Sequence, residues 1–248
     1  MGSAGAGRVG VVPAAVPAAV SADQAPVAPR LAAELRRVTA DDLVDDTDGP
    51  EWSDLAAHGD LVDWESDGLT VTGCRLAGLQ LTGARLHGAR FVDVVFDSCE
   101  LSGVVFERAS FQRVEIRQCR MVGAVLVGAR LRNVHVVGCK LDRSVLTAAV
   151  GERLLVEGSM LVGCDLREAR LAGTRFADCD LTTADVTGAD LAGARLQGSE
   201  LAGLRGVRGL AGAEFDADQV LAIAPLLLAD AGIVVAERGR FATTGDSR

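Results

Sequence analysis

One residue in every five is large and apolar from Val71 to Leu201, and this period constrains the fold more than any other feature. The exception at these positions is Gly151. An α-helix repeats every 3.6 residues or so and a β-strand about every two, so neither produces a period of five sustained over this length. A fixed period of this kind is typical of repeat architectures, in which each unit packs against the next.

A second column of residues lies two positions before the first and holds small, uncharged side chains. Ala84, Ala89 and Val94 are typical members, and only Leu79 and Leu154 are larger than valine. One large and one small inward position in every five indicate a chain that turns a corner after each unit. The large column is predicted to form a core ladder that includes Leu76, Leu81, Leu86, Phe91, Phe96, Leu101, Phe106, Phe111, Leu126, Leu171 and Phe176.

The repeat units carry a resemblance to a known family. Two units begin Ala-Asp-Val and Ala-Asp-Leu, at Ala184 and Ala189, and the commonest unit is A-R-L-x-G, as in residues 84–88. These units resemble the pentapeptide-repeat family, whose usual unit is A-(D/N)-L-x-x. The resemblance implies a right-handed four-sided parallel β-helix with four pentapeptides in each coil.

A coil of four pentapeptides predicts that residues 20 apart stack on each other, and the small column sorts in this way. Cysteines fall on one face and valines on another. The predicted fold is therefore an all-β solenoid over residues 69–208, with helical caps at both ends. The residues that show the sorting are Cys99, Cys119 and Cys139 on the first face and Val94, Val114 and Val134 on the second.

The sequence before the repeats predicts an acidic helical cap over residues 30–68. Leu35 and Val38 fall on one face of a helix, and Thr39 with Asp42 forms a capping signal for a further turn. The tryptophans of this segment are predicted to cover the first coil, because an open solenoid end exposes unpaired strand edges. The acidic run has a second interpretation, a docking segment for a basic partner, and the sequence leaves both open.

The two ends of the chain, residues 1–29 and 237–248, are predicted to be disordered tails. Pro13 and Pro17 interrupt the apolar run near the start, which argues against a signal peptide. No run in the sequence approaches the 20 or so apolar residues of a membrane span, so no membrane contact is predicted.

Residues 209–236 are predicted to form a capping helix at the other end of the solenoid. Asp216 and Gln219 form a helix start signal, and Gly232 forms a stop signal. The leucines between them extend over more than one face, so the helix either covers the last coil or pairs with its copy in a homodimer. The resemblance suggests the homodimer, because some family members dimerise through their C-terminal ends. The residues predicted for this cap or contact are Leu221, Leu226, Leu227 and Leu228.

Residues 147–155 contain the one irregularity of the repeat. Gly151 occupies a large-residue position and Leu154 occupies a small one, while the phase of five is kept. This pattern predicts a bulge or a small loop, which is either a tolerated defect or a place for binding.

The polar residues form no pattern typical of catalysis, cofactor binding or metal binding. All six cysteines occupy the small inward column, which predicts buried thiols that act as small hydrophobic residues. The alternative is a redox or metal ladder of stacked cysteines, but zinc needs ligands that converge, whereas stacked side chains are parallel. Reduced thiols favour a cytoplasmic location. The chain is therefore predicted to be neither an enzyme nor a cofactor protein.

The distribution of charge bears on the choice between functions. The chain has a net charge of −9, yet residues 71–210 contain 15 acidic and 18 basic residues, a net of +3. The leading hypothesis is a non-enzymatic scaffold for protein–protein interaction, whose partner the sequence does not name. The alternative, implied by the resemblance, is a DNA mimic that binds DNA gyrase and protects it from quinolones. Duplex DNA carries a negative charge about every 1.7 Å, so a positive rod argues against mimicry.

Binding of nucleic acid itself is predicted to be absent. The arginines beside the inward column offer positive charge, but the acidic ends of the chain oppose a nucleic-acid contact. The sequence also lacks an outward aromatic surface on which bases could stack.

Overall fold

The computed structural model describes residues 25–44 and 51–234, which form a parallel β-solenoid of about seven turns. Within them, the strands follow the order β1-β3-β5-β6-β7-β8-β9-β10 along the axis, and β2 pairs with β4, which pairs with β6. The predicted all-β solenoid is confirmed. The elements are β1 (Arg36–Thr39), α1 (Ala40–Val44), β2 (Glu51–Ser53), β3 (Leu55–His58), β4 (Thr70–Thr72), β5 (Arg75–Ala77), β6 (Arg90–Asp97), β7 (Ser110–Arg117), β8 (Arg130–Val137), β9 (Val150–Glu157), β10 (Arg175–Ala177), a 3₁₀ helix (Val207–Leu210) and α2 (Val220–Asp230).

Residues 20 apart stack along the axis of the solenoid. Phe91 of β6 pairs with Phe111 of β7, which pairs with Leu131 of β8. Isolated bridges continue the same register between the strands, as from Val105 to Val125. Four pentapeptides therefore make one coil, as the sorting of the small column predicted, and neighbouring coils lie about 4.8 Å apart.

A pentapeptide turns its corner through a β-turn that begins at the large inward residue. In one such unit the N–H of Ala84 donates to the carbonyl of Leu81 at 3.0 Å, and Gly83 between them has a φ of +70°. The φ angle is positive at every fifth residue from Gly73 to Gly203. A type II turn requires a positive φ at its third residue, and glycine adopts that angle at the lowest cost. The glycine that ends the A-R-L-x-G unit is therefore a corner residue.

The large column fills the interior of the solenoid. Phe91 stacks on Phe111 with ring centroids 4.9 Å apart, and Phe106 meets both rings edge-on at 5.6 and 5.4 Å. Each of these three rings is 1% exposed. Offset and edge-to-face pairs stabilise aromatic side chains beyond their buried area, so this cluster anchors the coils around β6 and β7.

The irregular stretch 147–155 contains no bulge or loop, so that prediction is wrong. β9 pairs with β8 without an insertion, and Leu131 lies opposite Gly151 while Val134 lies opposite Leu154. A Cβ atom added to Gly151 would lie 2.9 Å from Cδ2 of Leu171 and 3.3 Å from Cδ2 of Leu154. Leu154 and Leu171 thus occupy the space that Gly151 leaves, so the large residue at position 154 partly compensates for the missing side chain at position 151.

The first coil is built from strands, which corrects the prediction of a helical cap over residues 30–68. β1 pairs in parallel with β3, and β2 pairs with β4, which places Trp52 opposite Val71. The only helix in the described part of this range is α1, at whose start the N–H of Thr39 donates to the Asp42 carboxylate at 2.8 Å. The open edge of the next coil offers backbone hydrogen bonds to an extended chain, and this pairing outweighs the weak helical pattern.

The predicted tails fall mostly outside the described residues. This is the case for residues 1–24 and 237–248. Residues 25–29 are described, however, and they lie against the solenoid as neither helix nor strand. The prediction of a disordered tail is therefore wrong for these five residues.

The C-terminal end of the solenoid is closed by Gln219 and α2. Nε2 of Gln219 donates to the carbonyls of Leu196 and Ser199 at 2.7 and 2.5 Å, which satisfies backbone acceptors of the last coil. α2 then runs without interruption through Pro225, and Gly232 beyond its end has a φ of +70°. Among the helices of the described residues, none is long and apolar enough to cross a membrane.

Candidate functional site

The predicted core ladder lies in the interior, where it fills space and offers no reactive group to solvent. Every member is at most 3% exposed. The surface and the two ends of the solenoid are therefore the places where a partner can make contact. The buried members are Leu76, Leu81, Leu86, Phe91, Phe96, Leu101, Phe106, Phe111, Leu126, Leu171 and Phe176.

The six cysteines are buried free thiols. Burial raises the pKa of Cys164 to about 12 and that of Cys179 to about 11, which keeps these two thiols protonated. The N–H of Cys99 donates to Sγ of Cys119 at 3.3 Å, and the N–H of Cys119 donates to Sγ of Cys139 at 3.4 Å. The stacked thiols therefore accept backbone hydrogen bonds in series and do not converge on a common point.

Histidines and carboxylates pair singly on the outer surface. His135 Nε2 lies 2.7 Å from Glu157 Oε2, and His87 Nε2 lies 3.3 Å from Glu107 Oε2. Within residues 25–44 and 51–234, no group of three or more His, Cys, Asp or Glu side chains is positioned to hold a metal ion.

Ion pairs join neighbouring coils on several outer faces. Arg117 Nη2 lies 2.7 Å from Asp97 Oδ2, and the two residues stack because they are 20 apart. The same spacing recurs in other pairs, so the faces that carry them have mixed charge. These pairs are Arg85 with Glu65, Arg120 with Glu100, Arg132 with Glu152 and Arg205 with Asp185.

An N-terminal segment, residues 25–35, lies across the outside of the solenoid and is called the strap below. The backbone N–H of Val27 donates to Oδ1 of Asn133 in β8 at 3.2 Å. The N–H of Arg30 donates to Oδ1 of Asp93 in β6 at 2.9 Å. The strap therefore crosses the strands from β8 towards β6 and enters β1 at the N-terminal end of the solenoid.

The strap lies over a column of four stacked corner residues that are polar, whereas many other corners hold glycine. Asp93, Arg113, Asn133 and Arg153 occupy this column, with φ angles between +53° and +56°. Asp93 is 8% exposed and Asn133 is 7% exposed. Aspartate and asparagine tolerate the left-handed region better than most residues. They therefore form the corner and also provide acceptors for the strap.

A bidentate ion pair fixes the carboxylate of Asp93. Nε and Nη2 of Arg113 each donate to an oxygen of Asp93 at 2.6 Å. These hydrogen bonds, together with the one from the N–H of Arg30, hold the pKa of Asp93 below its usual value. Asp93 therefore stays ionised, and charge-assisted hydrogen bonds hold it in position to accept from the strap.

The strap leaves unfilled space between itself and the solenoid. A cavity of about 240 Å³ lies between residues 25–29 and the outer surface of the solenoid at Glu115, His135 and Leu155. A second cavity of about 210 Å³ lies further along the strap, where Arg175 and Arg195 form part of its wall. The small side chains of the strap do not fill either space.

Sequence reasoning missed the strap site, although two signals for it are present. Asn133 is the only asparagine of the chain, and Asp93 stands at an equivalent position of the repeat. Pro26 and Pro29 favour an extended backbone over a helix. The connection appears only in the fold, since 106 residues separate Val27 from Asn133.

The C-terminal helix α2 divides its predicted contact residues between two environments. Ile223 is 5% exposed and Leu226 packs against the core, so one face of α2 covers the end of the solenoid. Leu228 is half-buried. Leu221 lies on the side of the helix opposite Ile223 and is 82% exposed, and Leu227, beside Ile223 at the edge of the covered face, is 49% exposed, so α2 carries open apolar surface.

Comparison with known proteins gives a family match and several similar folds. The family model "Pentapeptide repeats" matches in eight copies over residues 74–113, 89–126, 109–147 and 159–202. A trypsin-treated QnrB1, described as a plasmid-mediated fluoroquinolone resistance protein, is 24% identical over 76% of this chain and 98% of its own, with a TM-score of 0.32. HetL of the cyanobacterium Nostoc sp. strain PCC 7120, described as a pentapeptide repeat protein involved in heterocyst differentiation regulation, is 20% identical over 67% of this chain and 90% of its own, with a TM-score of 0.28. No curated protein sequence matches this chain.

Proposed function

Since the chain is a pentapeptide-repeat protein, we propose that it acts as a non-enzymatic scaffold for protein–protein interaction. The observation that carries this proposal is the open apolar side of α2 at the end of the solenoid. Val220, next to the more exposed Leu221, is 54% exposed, and so is Ile233 just beyond the end of α2. Grouped apolar side chains of this size are typical of surfaces that contact another protein.

The first partner that we propose is a second copy of the chain. A contact of α2 with its copy about a twofold axis uses the same patch twice and covers both open apolar sides. The contact lies at the end of the rod, so the long faces of both solenoids stay available to a further protein, which is not identified.

Light scattering tests the homodimer. We expect a dimer at about 100 μM, well above a dissociation constant of about 1 μM. Leu221→Glu together with Leu227→Glu is expected to give a monomer, because it places charge in the apolar contact while the buried Ile223 is unchanged. The matched control is Val150→Glu with Met160→Glu, two exposed apolar residues of the solenoid body, which should leave the dimer intact. A monomeric wild type would rule out the dimer.

Affinity capture from the native host tests the broader scaffold proposal. The full chain is the appropriate bait, because β1 and β3 form part of the first coil and their removal would expose its core. A protein retained in stoichiometric amount by native chain, and not by heat-unfolded chain, is the expected outcome. We propose that these contacts form in the cytoplasm, since six free thiols suit a reducing compartment.

The distribution of charge opposes the second hypothesis, binding of DNA gyrase by mimicry of DNA. Mimicry requires a rod of strongly negative charge. The repeats carry 18 basic and 15 acidic residues between positions 71 and 210. The pairing of Arg117 with Asp97, and of similar stacked pairs, neutralises part of the negative charge that is present. Gyrase binding is therefore kept only as the hypothesis to be excluded by experiment.

A further inference from the structure

We propose that the groove beneath the strap is a binding site for an extended, proline-containing segment of another protein, and that the strap occupies it as an intramolecular competitor. The groove consists of the corner column from Asp93 to Arg153 and the neighbouring residues Glu115, His135 and Leu155. This inference rests on the proposed scaffold function, and it names a surface and a class of partner for that function.

The spacing of the two acceptors matches a polyproline II helix. Val27 and Arg30 are three residues apart, and both direct their N–H groups at the solenoid. In a β-strand, residues three apart point in opposite directions, whereas in a polyproline II helix of about three residues per turn they point the same way. One such turn rises about 9.3 Å. Asp93 and Asn133 lie two coils apart, which corresponds to about 9.6 Å.

The contacts recognise the backbone of the strap more than its sequence. Val27 is 41% exposed and the Arg30 side chain also faces solvent, although the N–H of each is bound. Every residue except proline carries such a donor. Prolines fit at positions 26 and 29, because they favour the extended conformation and precede the bound donors. Another chain with donors and prolines in this arrangement can therefore make the same two hydrogen bonds.

The unfilled space points to an occupant larger than the strap. Ala25 borders both cavities, of about 240 and 210 Å³, and its methyl group fills little of either. The wall side chain shared by both cavities is that of Leu155, and polar side chains such as Glu115 and Arg175 complete the walls, whereas Val114 and Leu154 are buried in the solenoid. A partner segment with a larger apolar side chain at the position of Ala25 is expected to bury additional apolar surface there.

The strap suppresses binding of a partner because it is tethered to the site. It leads directly into β1, so a displaced strap remains close to the groove. A short tether gives an effective concentration in the millimolar range, about the level that a partner must exceed to compete. A free peptide should therefore bind weakly to the wild type and more tightly once the strap is released.

Fluorescence anisotropy with a labelled peptide of residues 25–35 tests this proposal on the full-length protein. Val27→Pro with Arg30→Pro removes both N–H donors of the strap and preserves an extended backbone. We expect the peptide to bind this released variant at least about tenfold more tightly than the wild type. An Ala25→Leu peptide should bind more tightly than the parent peptide, because leucine fills part of the cavity.

Two protein variants and one modified peptide isolate the predicted hydrogen bonds. Asn133→Gly in the released variant removes one acceptor and keeps a residue suited to the left-handed corner, and we expect about a fivefold loss of peptide affinity. Asn133→Asp keeps the acceptor and is the matched control, expected to bind as before. A peptide N-methylated at the positions of Val27 and Arg30 lacks both donors and should not bind.

Three outcomes of the peptide experiments would overturn the proposal. They are equal binding to the wild type and the released variant, absence of binding to the released variant up to about 1 mM, and equal binding of the N-methylated peptide. A dimer that survives Leu221→Glu with Leu227→Glu but is lost on strap release would identify a second copy as the occupant, and would also overturn it. The strap variants leave α2 unchanged, so failure here would not affect the test of the scaffold by α2.

Discussion

Corner residues other than glycine are the places where single side chains strain the solenoid. Ala148 and Thr183 have φ angles of +56° and +59°, in the left-handed region. That region costs an ordinary L-residue about 1–2 kcal/mol. Asp93 and Asn133 tolerate it better and in addition bind the strap. The corners thus differ in strain, and replacement of a strained residue should stabilise the coil.

Ala148→Gly is expected to raise the free energy of unfolding by about 0.5–1 kcal/mol. The relief of strain outweighs the additional freedom that glycine gives to the unfolded chain. Ala148 is exposed, so little packing is lost. Urea denaturation measures the change. Ala149→Gly is the matched control, because Ala149 is 0% exposed and loses a buried methyl group, so it should destabilise. A decrease in stability for Ala148→Gly would contradict the strain argument.

The inward positions could be predicted residue by residue, whereas the torsion angles of the corners could not. The period of five places Leu81 and Ala84 on the inside because both positions exclude charge. It does not reveal that Gly83 between them needs a positive φ, since a period reports which residues are alike and not how the backbone bends. The compensation of Gly151 by Leu154 was equally hidden, because it depends on the Leu154 side chain reaching the space beside Gly151 across a corner.

The strap is held in part by a titratable group, the carboxyl of Asp93. Arg113, and then the N–H of Arg30, lower the pKa of Asp93 in the folded protein. The ordinary value is about 3.9. A carboxyl whose pKa is depressed by folding contributes stability above the unfolded-state pKa, and this contribution is lost as the pH falls through the folded-state pKa.

With Asp93→Asn, the free energy of unfolding is therefore expected to fall less steeply at acidic pH than in the wild type. Above about pH 4 the wild type should be more stable than the variant, and the difference should shrink as the pH falls below that value. Urea titrations between about pH 7 and pH 2 measure this difference. Glu200→Gln, a change of an exposed carboxyl outside the strap site, is the control. A difference that is independent of pH would show that Asp93 acts through packing alone.

The first coil shows why an element can be misread when its partner lies elsewhere in the sequence. Residues 30–46 have apolar spacing that suits a helix, yet Val38 is buried in β1 as a strand residue opposite Ala57 of β3. A helical pattern depends only on nearby residues. Whether a segment pairs with an open sheet edge depends on residues that are distant in the sequence and come together only in the fold. The strap site was missed for the same reason, because its acceptors and donors meet only after the coil has formed.

As a whole molecule, the solenoid is a short rod with mixed charge on its sides and acidic ends. About seven turns at roughly 4.8 Å each make a rod of about 34 Å. Residues 71–210 carry a net charge of +3 and the residues outside this range carry −12, which together give the chain's total of −9. At a physiological Debye length of about 8 Å, the acidic ends do not act along the whole rod. A partner that approaches the long faces therefore meets alternating charges.

This charge distribution predicts that the protein does not act on DNA gyrase. Proteins that bind duplex DNA contact a dense series of phosphates, about one negative charge per 1.7 Å. A rod whose acidic residues are paired with arginines, as Asp97 is with Arg117, cannot imitate that series. We expect no inhibition of gyrase supercoiling, and no protection of gyrase from a quinolone, at about 10 μM protein, a concentration that would detect a micromolar affinity.

The control is a charge-reversed variant, Arg90→Glu with Arg130→Glu and Arg170→Glu. In this variant three exposed arginines of one face become acidic, and the net charge of residues 71–210 changes from +3 to −3. Inhibition by the wild type that persists at physiological salt would establish gyrase binding by a mechanism other than long-range charge, while inhibition by the variant alone would support charge as the feature that the wild type lacks.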